Sequence, residues 1–230
     1  MDLAIRLRPG WITPGDPGSG DFQVNTPRSL LVATRNKGKL EELRQLLGDF
    51  PLDPHGLANF PGVITVPETG DSFIENASLK AAGYAKQTGL LTLADDSGLE
   101  VHALGGAPGV LSARYAGEGA SDVERTTKLL EELSLIPAPK RTARFVSAVA
   151  IANSEGQILN ISVGKCDGHI DFAPRGSGGF GYDPVFIPIG YEQTFAELKP
   201  AIKNQISHRA RALLSAREFL RTLTIPSSAR

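Results

Sequence analysis

Apolar residues recur along the chain in two periods, and the breaks between them mark out elements. Residues 30–33, Leu-Leu-Val-Ala, form a short apolar run that reads as a buried strand. The polar run Thr34-Arg35-Asn36-Lys37-Gly38-Lys39 follows. Leu40, Leu43, Leu46 and Leu47 then repeat at helical spacing up to Gly48, a residue suited to end a helix. A weaker strand is expected over residues 62–66. Ser72 and Glu75 have the spacing of a capping box, and Ile74, Ala77, Ala81 and Ala85 put an apolar stripe on the helix behind them, which ends near Gly89. Residues 90–94 predict a third strand that runs into Asp95-Asp96-Ser97-Gly98, with residues 99–104 as its hairpin partner. A helix is predicted over 121–133, with Asp122 in its first turn. Residues 143–152 and 157–163 predict two strands joined through Asn153-Ser154-Glu155-Gly156. A glycine-rich segment at 175–183 interrupts the pattern. The last helix is expected to start near Ser207 and to carry Leu213, Ala216, Leu220 and Leu223. Helices alternating with strands predict an α/β fold with a mixed sheet.

Residues 1–28 stand outside this pattern. Pro9, Gly10, Pro14, Gly15, Pro17, Gly18, Gly20 and Pro27 oppose both helix and strand, and no apolar stretch of a signal peptide is present. The segment reads as a flexible extension, or as a start placed too early, ahead of one domain over residues 29–230. It is expected to be dispensable for stability and activity. Trp11, the single tryptophan, lies within it and has no function assigned.

Composition narrows the field. The formal charge is -1, from 24 basic and 25 acidic residues, which provides no field for nucleic acid or an acidic membrane. An anionic ligand must therefore be held by a few local groups. No apolar run approaches the ~20 residues of a membrane span. Cys166 is the only cysteine, so there is no internal disulfide and no cysteine-rich zinc site, which fits a reducing cytoplasm.

Four segments carry chemistry. Thr34 to Lys39 forms a polar loop between a strand and a helix N-terminus, a natural cradle for phosphate, although it also reads as Asn36 capping a helix with solvated lysines. It lacks P-loop spacing. Asp95 and Asp96 directly after an apolar strand are costly unless a cation or a reaction uses them. Mg²⁺ prefers such carboxylates and brings substrate phosphates with it. The same pair could instead open a turn, and Asp95 alone could be structural. Glu68 is a further carboxylate for a metal, or a solvated loop residue. Glu75 reads as the capping partner of Ser72. Residues 176–184 combine flexible backbone with Phe180, Tyr182 and Asp183: aromatic faces for a base and an acceptor for a base N–H, or a tight loop whose rings pack in the core. Lys199, Lys203, Ser207, His208 and Arg209 cluster at the start of the last helix, and Arg209 offers a fork of donors. No nucleophile elbow is present, and none of the four histidines has metal-ligand spacing.

Taken in order, these segments resemble the inosine/xanthosine triphosphate pyrophosphatases. The matching stretches are Leu31 to Lys39, Glu68-Thr69-Gly70 with Phe73 to Ala77, and Ala94 to Leu99. They continue with Gly105 to Val110, Ser112 to Tyr115, Gly178 to Pro184 and Ile206 to Arg209. The resemblance covers residues 30 to about 223. It implies an elongated mixed β-sheet flanked by helices, two lobes with a central cleft, a homodimer, and a Mg²⁺-bound purine nucleoside triphosphate in each cleft. It implies that Thr34, Arg35, Asn36, Lys37, Gly38 and Lys39 hold the phosphates and that Asp96 accepts a proton beside the metal, with Glu68 as second metal ligand. Ser97, Phe180, Gly181, Tyr182, Asp183, Lys203, His208 and Arg209 would bind the rest of the substrate. Two features depart from many relatives: Pro67 stands where a first acid is common, and residues 164–168 lack a tryptophan. A pyrophosphatase for modified pyrimidine nucleotides and a non-catalytic nucleotide sensor are the alternatives. The Ser207-His208-Arg209 run argues against the first, and the intact acids Glu68, Asp95 and Asp96 against the second.

Overall fold

The computed structural model describes residues 28–48, 50 and 52–224, so the expected extension lies outside the described residues apart from Arg28, and Trp11 with it. The apolar run at residue 30 is the first strand, β1 (Arg28–Val32). Three helices begin where local caps dictate. Asn36 Oδ1 accepts from Lys39 N at the start of α1 (Lys37–Leu47), and Gly48 at φ 55 ends it. Ser72 and Glu75 form a reciprocal capping box for α2 (Phe73–Thr88), and Ser121 and Glu124 form another for α3 (Asp122–Glu132). In each case a side chain no more than three residues away satisfies an N–H that the helix cannot.

Six strands form one mixed sheet in the order β2-β1-β3-β4-β5-β6. β1 pairs in parallel with β2 (Leu52–Gly56) and β3 (Leu91–Val101). β3, β4 (Thr142–Ala152), β5 (Ile158–Ile170) and β6 (Phe186–Pro188) pair antiparallel. The chain closes with α4 (Pro200–Ile206) and α5 (His208–Thr224). Period-two alternation sends the strand side chains to two faces. On one face Leu30, Val32, Leu93, Val149 and Ile151 meet Leu43 of α1 and Leu213 and Leu220 of α5. On the other, Leu31, Ala94, Ala148 and Ala150 meet Ala77, Ala81 and Ala85 of α2. Alanine against alanine lets that helix lie close to the sheet. The far half of β3, β4 and β5 is covered by a third cluster, in which Leu129 and Leu133 of α3 join Phe145, Phe186 and Phe195.

The structure departs from the sequence-based expectation in several places. Residues 62–66 form no strand. Residues 90–94 and 99–104 are not two arms of a hairpin, because β3 runs straight through Asp95-Asp96-Ser97-Gly98 to Val101. Its ladder with β4 is unbroken from Thr92 to Val101, and that pairing outweighs the local turn chemistry of the Asp-Asp-Ser-Gly run. β5 extends to Ile170, past the expected end at residue 163, because Gly164 leaves room for the backbone of α5 at His208 and Ala212. β2, β6 and α4 were not foreseen. β2 carries Pro54 and little apolar alternation, which an edge strand tolerates.

Beyond Leu93 the edge of β3 has no strand beside it, since β1 stops at Val32. The 3₁₀ turn at Gly109–Arg114 fills part of that edge: Ser112 Oγ accepts from Leu99 N at 2.9 Å and donates to Gly109 O at 2.6 Å. The approach requires a glycine. A Cβ on Gly98 would lie 2.3 Å from Ser112 Oγ, 2.6 Å from Gly109 O and 2.9 Å from the Phe73 ring. Gly98→Ala is therefore expected to lower stability by about 1–3 kcal/mol, the scale of overpacking, with an unchanged denaturant m-value. Urea unfolding followed by circular dichroism checks it; a stability within error of the wild type contradicts the packing described.

Candidate active site

A cavity of about 440 Å³ opens where β1 ends and β3 continues, at the carboxyl ends of the parallel strands. Thr34, Arg35, Asn36 and Lys39 line one side, Glu68 and Lys80 another, and Phe180, His208 and Arg209 the far wall. The structure thus brings together the four segments singled out in the sequence. The loop after β1 is ordered by its own polar groups: Asn36 N donates to Thr34 Oγ1 at 3.1 Å, and Asn36 Oδ1 caps α1. Lys37 and Gly38 hold the first two helical positions, whose N–H groups have no intrahelical acceptor.

Asp95 and Asp96 are adjacent in an extended strand, so they point to opposite faces of the sheet. Asp95 faces α1 and α5. Its carboxylate is fully buried, with Lys39 Nζ at 3.2 Å from Oδ1 and Arg209 Nε at 3.3 Å from Oδ2. Burial by itself would raise its pKa, but Lys39, Arg209 and Lys80 together outweigh burial and hold it below the ordinary carboxylate range. Asp96 faces α2, where Lys80 Nζ lies 3.5 Å from its Oδ1 and 3.2 Å from Glu68 Oε2. Burial raises the Asp96 pKa, against the pull of Lys80 and Lys39 and with support from Glu68 and Asp95. Its Oδ2 is buried and has no hydrogen-bond partner among the described residues.

A chain of alternating charges runs from β3 to the glycine-rich loop. Arg209 bonds Asp95, Ser97 Oγ (3.1 Å from Nη2) and Glu42. Glu42 accepts from Lys203 Nζ at 2.9 Å, Lys203 donates to Asp183 Oδ2 at 2.6 Å, and the same oxygen accepts from Phe180 N at 2.8 Å. Phe180 lies under Lys203 and Arg209, 5.0 and 5.4 Å from its ring centroid. His208 stacks on Phe145 with centroids 4.6 Å apart and planes 10° apart. Burial, then Arg209 and Lys203, push its pKa well below the usual histidine value, so the ring is neutral near pH 7. Its Nδ1 is buried without a partner among the described residues.

One sequence-based role changes, and two residues take on a structural part. Tyr182 is no stacking face: it is 4% exposed, its ring packs with the core around Leu99 and Phe145, and its hydroxyl donates to Ser112 O at 3.0 Å. Asp183 lines the cavity but is buried, and its Oδ2 anchors the loop at Phe180 N and holds Lys203. Gly38 makes room for the Phe180 ring, since a Cβ there would lie 2.8 Å from Phe180 Cδ1. Lys80 and Glu42 were missed. A lysine in the apolar stripe of α2, between Ala77 and Ala81, and a glutamate three residues after Lys39 on α1 were the available signals.

Comparison with known proteins gives the family. The sequence profile of the Ham1 family matches residues 30–219. A dITP/XTP pyrophosphatase of Desulforamulus reducens is 50% identical over 196 residues, covering 85% of this chain and 97% of that protein. One from Oceanobacillus iheyensis is 44% identical over 197 residues, covering 85% and 100%. Among solved structures, a HAM1 protein from Coxiella burnetii superposes with a TM-score of 0.77 at 43% identity, covering 85% of this chain and 99% of that one. Fold and cavity together define an α/β protein with a polar loop at the start of α1 beside buried carboxylates. The chain belongs to the Ham1 family.

The Asp95 ion pairs give a test of stability. Asp95→Asn leaves Lys39 and Arg209 without their buried counter-charge, and a loss of about 3 kcal/mol is expected. Because the folded pKa lies below the unfolded one, the stabilisation is complete above about pH 5 and is lost as pH falls below about 4. The wild-type advantage over the variant should therefore be flat from pH 5 to 7 and shrink toward pH 3 in urea unfolding. A gap that stays constant down to pH 3 contradicts the assignment.

Proposed function

We propose that this chain hydrolyses non-standard purine nucleoside triphosphates, those of inosine, deoxyinosine and xanthosine, to the monophosphate and pyrophosphate. The reaction removes these nucleotides from the precursor pool and prevents their incorporation into DNA and RNA. One observation carries the reading above the others: Asp96, with a buried unpartnered oxygen and a raised pKa, lies in the same cavity as Thr34, Asn36 and Lys39 at the start of α1 and a neutral stacked histidine. The names of the relatives point the same way.

The cavity has a charged end and an aromatic end. At the charged end the N–H groups of Lys37 and Gly38, the side chains of Thr34 and Asn36, and Lys39 would take the phosphates. Lys39, Lys80, Lys203 and Arg209 already face five carboxylates, Glu42, Glu68, Asp95, Asp96 and Asp183. Five carboxylates outnumber the four cations, so these side chains alone do not balance a triphosphate and an added cation is needed. Asp96 and Glu68 fit Mg²⁺, which takes one or two carboxylates together with substrate phosphates. Among the described residues no group of three His, Cys, Asp or Glu forms a complete protein cage. When bound there, the ion would neutralise phosphate oxygens. Asp96 orients the attacking water and accepts its proton. A raised pKa makes it a stronger base than an ordinary carboxylate. Lys39 and Lys80 share the charge that develops on the phosphates, so catalysis is positioning plus electrostatics, with no covalent intermediate.

At the aromatic end Phe180 offers a face to the base and His208 a hydrogen-bonding edge. Hypoxanthine and xanthine present a C6 keto oxygen and an N1–H; adenine presents the reverse. A site matched to the first pattern rejects the second by ~10⁴-fold or more, since mismatched buried groups stay unpaired. Inosine and xanthosine triphosphates should be cleaved far faster than ATP, with GTP between or near ATP. His208→Ala should narrow the gap, and Asp96→Asn should cut turnover by at least ~10²-fold. Specificity constants for the panel, with and without Mg²⁺, and product analysis for pyrophosphate test this. Equal wild-type rates on ATP and inosine triphosphate, or near-normal turnover in Asp96→Asn, would refute it.

Two further parts of the proposal concern setting and assembly. The balanced charge argues against a nucleic-acid partner. No helix among the described residues is long and apolar enough to cross a membrane. Cys166 is buried, with its thiol pushed up to about 11 by burial, which suits a cytoplasmic protein with no disulfide. A homodimer is supported by apolar side chains left uncovered beside α2: Ile161 and Val163 of β5 are each 43% exposed on the sheet face that α2 packs against, as is Ile74 on α2 itself. Light scattering after size exclusion should give the mass of two chains, and Ile161→Asp with Val163→Lys should reduce it to one. A wild-type monomer at micromolar concentration overturns the dimer.

A further inference from the structure

The first turn of α3 does more at this cavity than begin a helix. Its N-terminus is already capped by Ser121 and Glu124, so the side chain of the next residue, Asp122, is free for another task. Asp122 Oδ2 accepts a hydrogen bond from Gly181 N at 2.7 Å, across 59 residues of sequence. Its Oδ1 pairs with Arg125, whose guanidinium also donates to Ala113 O (2.9 Å) and to Ala120 O. One helical turn therefore grips both the glycine-rich loop and the loop at residues 113–120, and both Asp122 and Arg125 line the cavity.

The peptide held at Gly181 is the one that follows Phe180. Gly179 and Gly181 both have positive φ, 71° and 64°, a conformation that leaves the loop without side chains to brace it on either side of the ring. Beside the turn bond from Asp183 N to Phe180 O (3.3 Å), two side-chain bonds hold the peptides on either side of Phe180: Phe180 N to Asp183 Oδ2 from inside, and Gly181 N to Asp122 Oδ2 from outside. The inner bond belongs to the buried charge chain. The outer one comes from a side chain 45% exposed, whose ion pair with Arg125 contributes little to stability. Its consequence is geometric.

The geometry points to Asp122 as a positioning residue for base recognition: it clamps the Gly181 peptide and so sets the Phe180 ring against Gly38 and the base end of the cavity. This rests on the proposed function. Asp122 itself bonds Gly181 and Arg125 and none of Thr34, Asn36 or Lys39, so its loss should act on the nucleoside more than on the phosphates. Asp122→Asn keeps an oxygen that accepts from Gly181 N; Asp122→Ala keeps none.

The test compares wild type, Asp122→Ala and Asp122→Asn on inosine triphosphate, with inorganic tripolyphosphate as a competitive inhibitor that has no base. In Asp122→Ala the KM for inosine triphosphate should rise roughly tenfold, the scale of one hydrogen bond. Turnover number and tripolyphosphate inhibition should stay within about twofold, and Asp122→Asn should restore most of the KM. An unchanged KM in Asp122→Ala overturns the clamp, as does a parallel loss of tripolyphosphate binding. If Asp122→Ala melts below the assay temperature, Asp122→Asn decides: a near-wild-type KM supports the clamp, and a KM raised as far as tenfold overturns it. A wild-type protein inactive on inosine triphosphate overturns the functional reading and the clamp together, whereas an active wild type with an indifferent Asp122→Ala overturns the clamp alone.

Discussion

A buried carboxylate in the middle of a strand organises this molecule. Asp95 sits in β3 with no exposure, and a charge in that position is tolerated only with opposite charge and hydrogen bonds around it. Lys39 comes from the start of α1 and Arg209 from the start of α5, so the ion pairs hold both helices against one face of the sheet at one place. From Arg209 the chain of charges continues through Glu42 and Lys203 to Asp183 and ends on the backbone of Phe180. Four separated stretches of sequence thus share one network. The same network places the loop after β1, the acids and the Phe180 ring around one opening.

The extended backbone at Asp95 and Asp96 divides their work. One residue step turns a side chain to the other side of the sheet. Asp95 is used up by cations and belongs to the framework. Asp96 faces α2 beside Lys80 and Glu68 and keeps an oxygen free. Two equal residues in sequence acquire opposite pKa shifts because one is enclosed by positive charge and the other is buried near two further acids. The far wall repeats the theme with an imidazole: lying on Phe145 and close to Arg209 and Lys203, His208 stays neutral and can both donate and accept.

Much of this was legible in the chain itself. Caps at Asn36, Ser72 and Ser121 lie within three residues of the groups they satisfy, so the starts of α1, α2 and α3 follow from local chemistry. The apolar run of β1 and the stripe of α2 declare their buried faces by period. The order of the Asn-Lys-Gly-Lys, Asp-Asp-Ser-Gly, Gly-Phe-Gly-Tyr-Asp and Ser-His-Arg runs was enough to bring out the family resemblance and the residues around the cavity.

What the chain alone did not contain is which way those residues point. Asp-Asp-Ser-Gly has the composition of a turn, and only the ladder to β4 makes it strand and sends its two acids to opposite faces. Tyr182 and Phe180 are two residues apart in one loop, yet one ring is core and the other lies under Lys203 and Arg209. Glu42 reaches Lys203 and Arg209 across more than 160 residues. Lys80 finds its partners only once α2 has docked on β3. Local propensity acts over a few bonds, so sequence determined the elements, their caps and the types of residue at the site. Orientation, ion-pair partners and protonation depend on charges and walls supplied from distant segments, and these exist only after the sheet and its helices have packed.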